Sequence, residues 1–433
     1  MKKAVSTAHK EPTLQQHGSW TRRLCALLCT CALWLSSHSA RAEPDRAQPV
    51  AVYGISRTRL DTVLELLPRA PPNLYSDIEL VEFERRLANL GIFDLVSVTR
   101  GETTIEVQLR EKWTLIPMFD LSTGSTWRDT FVSLSATEYN FLGRALQLTA
   151  AVWHEARGWA GALGLAEHGY NPHRGAFNLN LEYVSSEYWF DESGDAWTVL
   201  GPGALLQYQL PIPHGTRFAF AFGLGYRYED NLDPISRVRP RDGNHFNAEL
   251  TTFWENYRWS DFAPAGVHVR LRLLPGVFLS DGPAAPRMAA ELWGLGAHAF
   301  NDSLVLMVQL NATIMNLGHP NFSFLLGSFG GVRGLQDAVH HVWAAAFTNV
   351  ELRYAWRFAE RWALQGVLFS DAAVFDRVDS RGRDAPGEWA ASAGAGLRLI
   401  PSFLAEIVLR IDAGRAFHPE PGWFWQWGLS QYF

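Results

Sequence analysis

Most of the chain alternates between apolar residues and polar or small residues with a period of two. Between Phe218 and Tyr226 every second residue is aromatic or leucine, and the residues between them are alanine or glycine. Successive side chains of a β-strand point to opposite faces, so this segment predicts a strand with one apolar face and one face of small residues. The same alternation recurs from residue 113 to the C-terminus, in segments of about ten residues or more.

Long alternating strands occur both in transmembrane β-barrels and in soluble β-sandwiches. The apolar faces here carry large aromatic residues, and the segments are long enough for tilted strands that cross a bilayer. A closed barrel also leaves no unpaired backbone edge in lipid. We therefore predict an all-β transmembrane barrel of about 16 antiparallel strands over residues 113–433. The predicted strands are 113–122, 129–139, 145–156, 158–169, 174–188, 197–211, 216–230, 245–259, 265–278, 287–301, 303–316, 341–358, 362–376, 388–401, 404–417 and 422–433.

The connections between these strands alternate between short turns and longer loops. Turns such as 212–215 and 359–361 are short, whereas 231–244 and 317–340 are long, and 317–340 is the longest. Bacterial barrels have short periplasmic turns and long outer loops. The pattern therefore predicts that the barrel starts and ends on the periplasmic side.

Composition narrows the class of protein further. The chain has 433 residues, 47% hydrophobic and 19% charged, and beyond the N-terminus no apolar run reaches the length of a transmembrane helix. The mean hydropathy is -0.08, which alternation produces because apolar and polar positions average out. A formal net charge of -6 argues against a nucleic-acid binder.

The N-terminal segment has the features of a secretory signal peptide. Arg22 and Arg23 precede the apolar stretch 24–35, which is followed by Ala40-Arg41-Ala42. Such an order is typical of a signal peptide over residues 1–42, with a membrane anchor helix as the alternative. The three cysteines lie inside this stretch, so cleavage would leave no thiol chemistry. They are Cys25, Cys29 and Cys31.

Residues 43–112 predict a small α+β domain with the order strand, helix, helix, strand, strand. The second helix begins after Ser76, which forms a capping box with Glu79, and ends before Gly91. Its apolar positions recur at steps of three and four residues and so form one buried face. These positions are Leu80, Phe83, Leu87 and Leu90.

No motif of an enzyme, a cofactor site or a metal site stands out. His154-Glu155 lacks a second histidine at helical spacing, and we interpret His340-His341 as a surface pair. We therefore predict no catalytic, cofactor-binding or metal-binding residues.

The run Leu87–Val98 resembles the helix-to-strand signature of a POTRA domain, the periplasmic module that precedes barrels of the outer-membrane assembly and secretion superfamily. The resemblance implies that an exposed strand edge accepts a client segment. The residues of that expected edge are Leu95, Val96, Ser97 and Val98.

The barrel segment resembles the BamA/TamA superfamily, also called the bacterial surface antigen family. The longest loop contains Gly331-Val332-Arg333-Gly334-Leu335, similar to the family's V-R-G-aromatic tip, with Leu335 in the place of the aromatic residue. Further short matches follow in the family's order. They are Asn140–Gly143, Asn349–Arg353, Phe369–Asp371, Gly394–Arg398 and Arg410–Asp412.

The resemblance implies that the loop folds into the lumen and that Arg333 reaches an acidic partner, Asp371, on the barrel wall. Glu351 and Arg353 are the other expected lumen partners. A guanidinium inside a barrel needs a carboxylate, and a bidentate pair fixes its orientation. The alternative is that Arg333 is a solvated loop charge.

The last strand resembles the C-terminal signal by which outer-membrane barrels are recognised for assembly. Alternate positions are aromatic or apolar and the final residue is phenylalanine, with Gln431 as a departure. The residues of this signal are Trp425, Trp427, Leu429 and Phe433.

Taken together, the resemblance implies a factor in the outer membrane of a Gram-negative bacterium that inserts or translocates proteins, with its N-terminal domain in the periplasm. The small domain would receive the client, and the barrel would open between its first and last strands. Expected partners are outer-membrane lipid and lipopolysaccharide, an unfolded outer-membrane or secreted client, and periplasmic chaperones or accessory proteins, but no nucleic acid. A dedicated two-partner secretion pore and a passive porin remain as alternatives.

Overall fold

The computed structural model describes residues 47–122, 131–155, 158–190, 195–214, 216–232, 241–260, 262–317, 323–327, 331–335, 340–405 and 407–429. Within these ranges the chain forms a small N-terminal domain followed by a large β-barrel. The predicted signal peptide lies outside the described residues.

The small domain combines a three-stranded sheet with two helices. Its elements are β1 (Val50–Tyr53), α1 (Leu60–Leu64), α2 (Asp77–Asn89), β2 (Phe93–Arg100) and β3 (Ile105–Glu111). Strand β3 lies in the middle, parallel to β1 and antiparallel to β2, so β2 lies at an edge of this sheet. The order of elements agrees with the one that the sequence predicts.

Helix α2 forms because its start is capped and its apolar face is covered. The Ser76 side chain accepts a hydrogen bond from the Glu79 backbone, and the Glu79 side chain accepts one from the Ser76 backbone. This reciprocal capping satisfies two backbone donors that a helix start otherwise leaves unpaired. The four predicted apolar positions are all buried in the domain core, which fixes α2 against the sheet. They are Leu80, Phe83, Leu87 and Leu90.

In the described part of the chain, 16 antiparallel strands close into a barrel, as the sequence predicts, and a further three-residue strand lies in the longest loop. The barrel strands are β4 (Leu115–Ser122), β5 (Phe131–Phe141), β6 (Leu146–Glu155), β7 (Gly158–Glu167), β8 (Ala176–Phe190), β9 (Asp195–Gln209), β10 (Phe218–Leu232), β11 (Gly243–Glu255), β12 (Gly266–Leu279), β13 (Ala285–Ala299), β14 (Leu304–Met315), β16 (His340–Ala359), β17 (Trp362–Val378), β18 (Asp384–Pro401), β19 (Leu409–His418) and β20 (Gly422–Gly428). The loop strand is β15 (Phe324–Leu326), which pairs with the start of β16.

Two predicted strand starts are wrong by more than three residues. The sequence predicts a strand over 388–401, whereas β18 begins at Asp384. The sequence predicts a strand over 404–417, whereas β19 begins only at Leu409. The segment before it runs beside Trp113, whose backbone N–H donates to Phe403 and whose carbonyl accepts from Ala405. Its apolar residues therefore cover the core of the small domain instead of continuing the barrel wall.

The outer face of the barrel is apolar, and its inner face carries the polar side chains. Along β17, Leu364, Leu368 and Val374 are exposed on the outside, whereas Gln365 and Asp371 are buried inside. No helix in the described ranges is both long and apolar enough to cross a membrane.

The barrel closes between its first and last strands. Among the described residues, β20 pairs with β4 through Gln426 with Ser122, Trp427 with Leu121, and Gly428 with Asp120. On its other side, β20 pairs with β19 along the whole stretch from Gly422 to Gly428. We call the boundary between β4 and β20 the seam.

Candidate functional site

The tip of the longest loop folds into the barrel. Val332, Arg333 and Leu335 are buried, and Arg333 has no exposed surface. The Val332 N–H donates to Gly327 at 3.1 Å, and the Leu335 N–H donates to Val332 at 3.1 Å, which makes the tip a compact turn. Gly334 has a φ of 81°, a region that glycine adopts without strain.

Asp371, on the inner face of β17, holds the Arg333 guanidinium at two points. Nε of Arg333 donates to Oδ2 at 2.7 Å, and Nη2 donates to Oδ1 at 2.7 Å. The Arg333 backbone N–H also donates to Oδ2, at 3.1 Å. The carboxylate therefore fixes both the side chain and the backbone of the tip, as expected for a bidentate pair.

Glu351, on β16, is the centre of a larger charge cluster. Its carboxylate accepts hydrogen bonds from Arg333 at 2.7 Å, from Arg353 at 2.6 Å and from Arg398 at 2.7 Å. Glu351, Arg333 and Arg398 have no exposed surface, and Arg353 is almost fully buried. One carboxylate thus joins the loop tip to two arginines of the barrel wall.

The last members of the cluster lie on β19. Asp412 is 3.5 Å from the Arg333 guanidinium and 3.8 Å from that of Arg410. Asn349, on β16, donates to the Gly331 carbonyl at 2.8 Å and so holds the backbone before the tip. The cluster therefore spans the wall from β16 to β19 and ends next to the last strand.

An aromatic ring also contacts Arg333. We call the contacts that hold Arg333 in the barrel its seat. The guanidinium carbon lies 3.7 Å from the centre of the Phe369 ring, a cation–π geometry. Burial of several charges costs hydration free energy that ion pairing only partly offsets. We therefore attribute to the cluster the orientation of the loop tip rather than a large gain in stability.

The structure brings together Val332, Arg333, Gly334, Asp371, Glu351 and Arg353, all of which the sequence analysis singles out. Leu335 packs with Val332 in an apolar cluster that includes Val342 and Phe375. Sequence reasoning missed Arg398, Arg410 and Asp412 as members of the site, although they lie in runs that match the family. Their positions on the inward faces of β18 and β19 were the signal that could have found them.

Other predicted residues lie away from this site. Trp425 and Trp427 are exposed on the outer face of β20, and Leu429 is half-buried after its end, whereas Phe433 lies outside the described residues. The expected client edge, 95–98, lies in β2 of the small domain.

The histidine pair only partly matches its interpretation as a surface pair. His341 is buried and lies 3.3 Å from the Ser323 hydroxyl, so the interpretation is wrong for this residue. His340 is half-buried and packs its ring against Phe375. Inward-facing positions at the start of β16 are covered by the folded loop, which the sequence pattern does not reveal.

A second charge cluster holds the small domain against the turns of the barrel. Glu82 of α2 lies within 3.1 Å of Arg85, Arg86 and Arg217, and Arg217 lies in the β9–β10 turn, directly before β10. Burial raises the pKa of Glu82, but hydrogen bonds and charge from Arg85 and Arg86 outweigh it and hold the pKa at about 2. The carboxylate is therefore ionised at neutral pH and links the small domain to the barrel.

Further contacts extend this interface around the end of the barrel. Arg86 donates to the carbonyls of Tyr170 at 2.6 Å and Ile212 at 3.0 Å, in two different turns. Gly143, in the β5–β6 turn, accepts a hydrogen bond from the Arg59 backbone at 2.9 Å. The hydrophobic core of the small domain also includes buried residues from the end of the barrel that this domain contacts. These are Ile116, Tyr139, Ala145 and Ala405.

No protein-family model matches the chain, and no curated protein matches it. Solved structures do match it. Haemophilus ducreyi BamA lacking POTRA domains 1–3 is 15% identical, covers 88% of this chain and 83% of its own, and has a TM-score of 0.50. CdiB from Acinetobacter baumannii is 13% identical, with coverages of 89% and 73% and a TM-score of 0.58. CdiB from Escherichia coli is 14% identical, with coverages of 88% and 76% and a TM-score of 0.59.

The chain has the fold of these barrels. At such identities the likeness extends to the fold alone, so the roles of individual residues depend on the geometry described above. Among the described residues, no group of three or more histidine, cysteine, aspartate and glutamate side chains is arranged to hold a metal ion.

Proposed function

We propose that this chain is an outer-membrane factor that assists client proteins into or across the membrane. The observation that carries the proposal is the loop tip, which is held inside a BamA-like and CdiB-like barrel by the buried Arg333–Asp371 pair. The cluster fixes the loop tip beside the last strand, which favours a role for that strand over passive diffusion of solutes. Outer-membrane location and a periplasmic small domain are part of the proposal.

The seam between β4 and β20 is the proposed site of client handling. Three residue pairs join the two strands within the part of the chain that the structure describes. Opening this ladder exposes unpaired N–H and C=O groups on both strands, which a client strand can pair with. A client would thus form its own strands at the seam while its backbone stays hydrogen-bonded in lipid.

The small domain is the proposed receiving site for the client. In its sheet, β2 pairs with β3 on one side, and β3 separates it from β1. An edge strand can accept an extended segment by β-augmentation. Leu95 is exposed on this strand, and Val96, Ser97 and Val98 are half-buried, so pairing would place the client near partly accessible side chains.

A dedicated secretion pore is the second candidate, because the chain resembles two CdiB structures with higher TM-scores than BamA. The docked small domain argues for the seam rather than the lumen as the client's route. Its helix α2 contacts the turns at 170 and 212–213, and Asn89 donates to the Tyr257 carbonyl at 2.9 Å. A chain that passes through the lumen would have to displace these contacts first.

The test reconstitutes the protein in liposomes and follows the folding of an unfolded outer-membrane client by protease protection. Arg333→Ala is compared with Arg383→Ala, a control at a loop arginine that is exposed and pairs with Asp379. We expect the wild type and R383A to accelerate client folding, and R333A to lose most of this acceleration. Conductance without any acceleration by the wild type would refute insertion and favour a pore.

A further inference from the structure

Four inward-facing residues form one lateral row across the last strands of the barrel. Phe369 of β17 is paired with Gly394 of β18, Gly394 with Gly414 of β19, and Gly414 with Phe424 of β20. The row therefore has an aromatic residue at each end and two glycines between them. We call these four residues the ring row.

The glycines provide the space in which the two rings meet. A Cβ on Gly394 would lie 2.5 Å from Cζ of Phe369, and one on Gly414 would lie 2.7 Å from Cζ of Phe424 and 3.1 Å from Cζ of Phe369. The rings lean over the glycines from both sides, with centres 6.2 Å apart and planes tilted by 44°. This separation lies within the range of attractive aromatic pairs.

The loop tip rests on both rings at once. Arg333 lies over Phe369 at 3.7 Å, and a Cβ on Gly334 would overlap the Phe424 ring. Leu335, which stands where similar loops have an aromatic residue, packs instead in an apolar cluster with Val342. The last strand of the barrel therefore supplies one of the two aromatic contacts of the tip, and β17 supplies the other.

We propose that Phe424 is a positioning residue that ties the seating of the loop tip to the seam. Phe424 lies two residues before Gln426, which pairs with Ser122 of β4. With the tip seated, the inner face of β20 is held by Gly334 and by the Phe369 ring. With the tip released, β20 loses the contact with Gly334 and keeps its ladders with β19 and β4. Loop seating then regulates how readily the seam opens.

The inference deepens the proposed function, because it names what controls the proposed seam, but its first test needs no client. Backbone amide exchange in β20 reports how often the strand detaches. One aromatic pair corresponds to about a two- to tenfold change in such an equilibrium. We expect Phe424→Ala to accelerate exchange at residues 425–428 by about this factor, with little change in β16.

A double-mutant cycle separates the linkage from simple loss of packing. Arg333→Ala should accelerate exchange in β20 when Phe424 is present and add little in the F424A background. Trp425→Ala is the matched control, since Trp425 is on the same strand but 69% exposed on the outer face. In the W425A background the effect of R333A should remain complete.

Equal effects of R333A in both backgrounds would overturn the inference, as would unchanged exchange in F424A. If F424A fails to form a barrel, Phe424→Leu keeps an apolar side chain and replaces it in the same cycle. Client folding is then measured with the same variants. If the effects of R333A and F424A on exchange depend on each other but the protein does not accelerate client folding, only the proposed function is refuted. If the protein accelerates client folding but the two effects on exchange are independent, only the role of Phe424 is refuted.

Discussion

Replacement of Asp371 by asparagine is the sharpest test of how the loop tip is held. Asp371 accepts three hydrogen bonds from Arg333, two from the guanidinium and one from the backbone. Asparagine has nearly the same shape but carries no charge and has one acceptor oxygen instead of two. The substitution therefore removes the negative charge and one acceptor oxygen beside Arg333 without leaving a cavity.

The size of the effect follows from these contacts. At least one charge-assisted hydrogen bond is lost, at about 1.5–3 kcal/mol, and the others become weaker because the acceptor is neutral. Arg333 keeps its contact with Glu351 at 2.7 Å, which limits the loss. We expect the seated state to be destabilised by about 3 kcal/mol, which raises the released fraction about 100-fold.

Labelling of a buried cysteine measures that fraction. Val332 is 1% exposed, so a thiol at this position in Val332→Cys reacts with a maleimide only when the tip is released. The native cysteines lie in the predicted signal peptide, so the protein without Val332→Cys serves as the control for background labelling; they are Cys25, Cys29 and Cys31. At fixed reagent concentration, D371N should label about 100-fold faster than the parent protein.

Asp376→Asn is the matched control, because Asp376 lies on the same strand but is exposed on the other face. It should label at the parental rate. If D371N also labels at the parental rate, the bidentate pair does not hold the tip, and the seat described here is wrong. If both variants label faster, the strand itself has become unstable.

Three further predictions concern the end of the barrel that carries the small domain. Glu82→Gln should weaken docking of the small domain on the barrel by about 3 kcal/mol, because three buried or half-buried arginines lose the carboxylate that they share. Faster proteolysis of α2 would show this weakening. Since the pKa of Glu82 is lowered from 4.5 to about 2, docking should be at full strength above pH 4.5 and weaken as the pH falls towards 2, measured by amide exchange in α2. Gly143→Ala should lower barrel stability by about 1–2 kcal/mol, because Gly143 has a φ of 71° and approaches the Arg57 carbonyl. The control Leu142→Gly, at a φ of 58°, should not lower it. Thermal unfolding followed on gels compares the two variants.

Strand positions were predictable because their signal is local. Side chains alternate between lipid and lumen along each strand, and this alternation is present in the sequence whichever strand becomes the neighbour. Helix α2 was predictable for the same reason, since Ser76, Glu79 and the apolar face act within one helix. The segment before β19 was not, because Leu404, Ala405 and Ile407 face the small domain, a contact distant in sequence.

The residues of the candidate site likewise include some that the sequence could predict and some that it could not. Arg333 and Asp371 could be named because a buried guanidinium requires a carboxylate and the family resemblance supplied both runs. The hub at Glu351 and the membership of Arg398 depend on which inward positions fall at the same height in the barrel. That height follows from the strand register, which alternation within one strand does not determine.

The two charge clusters each hold one segment of the chain in position, at different places in the molecule. In each, one glutamate forms ion pairs with three arginines, at least one of which lies on another segment of the chain: Glu351 holds the loop tip, and Glu82 holds the small domain. A well-packed apolar contact of similar size is often more stable than a buried ion cluster. Ion pairs instead fix orientation, and their partners regain hydration when they separate in a water-accessible space. Both segments are therefore held in a defined position by contacts that can be released, as the proposed opening of the barrel for clients requires.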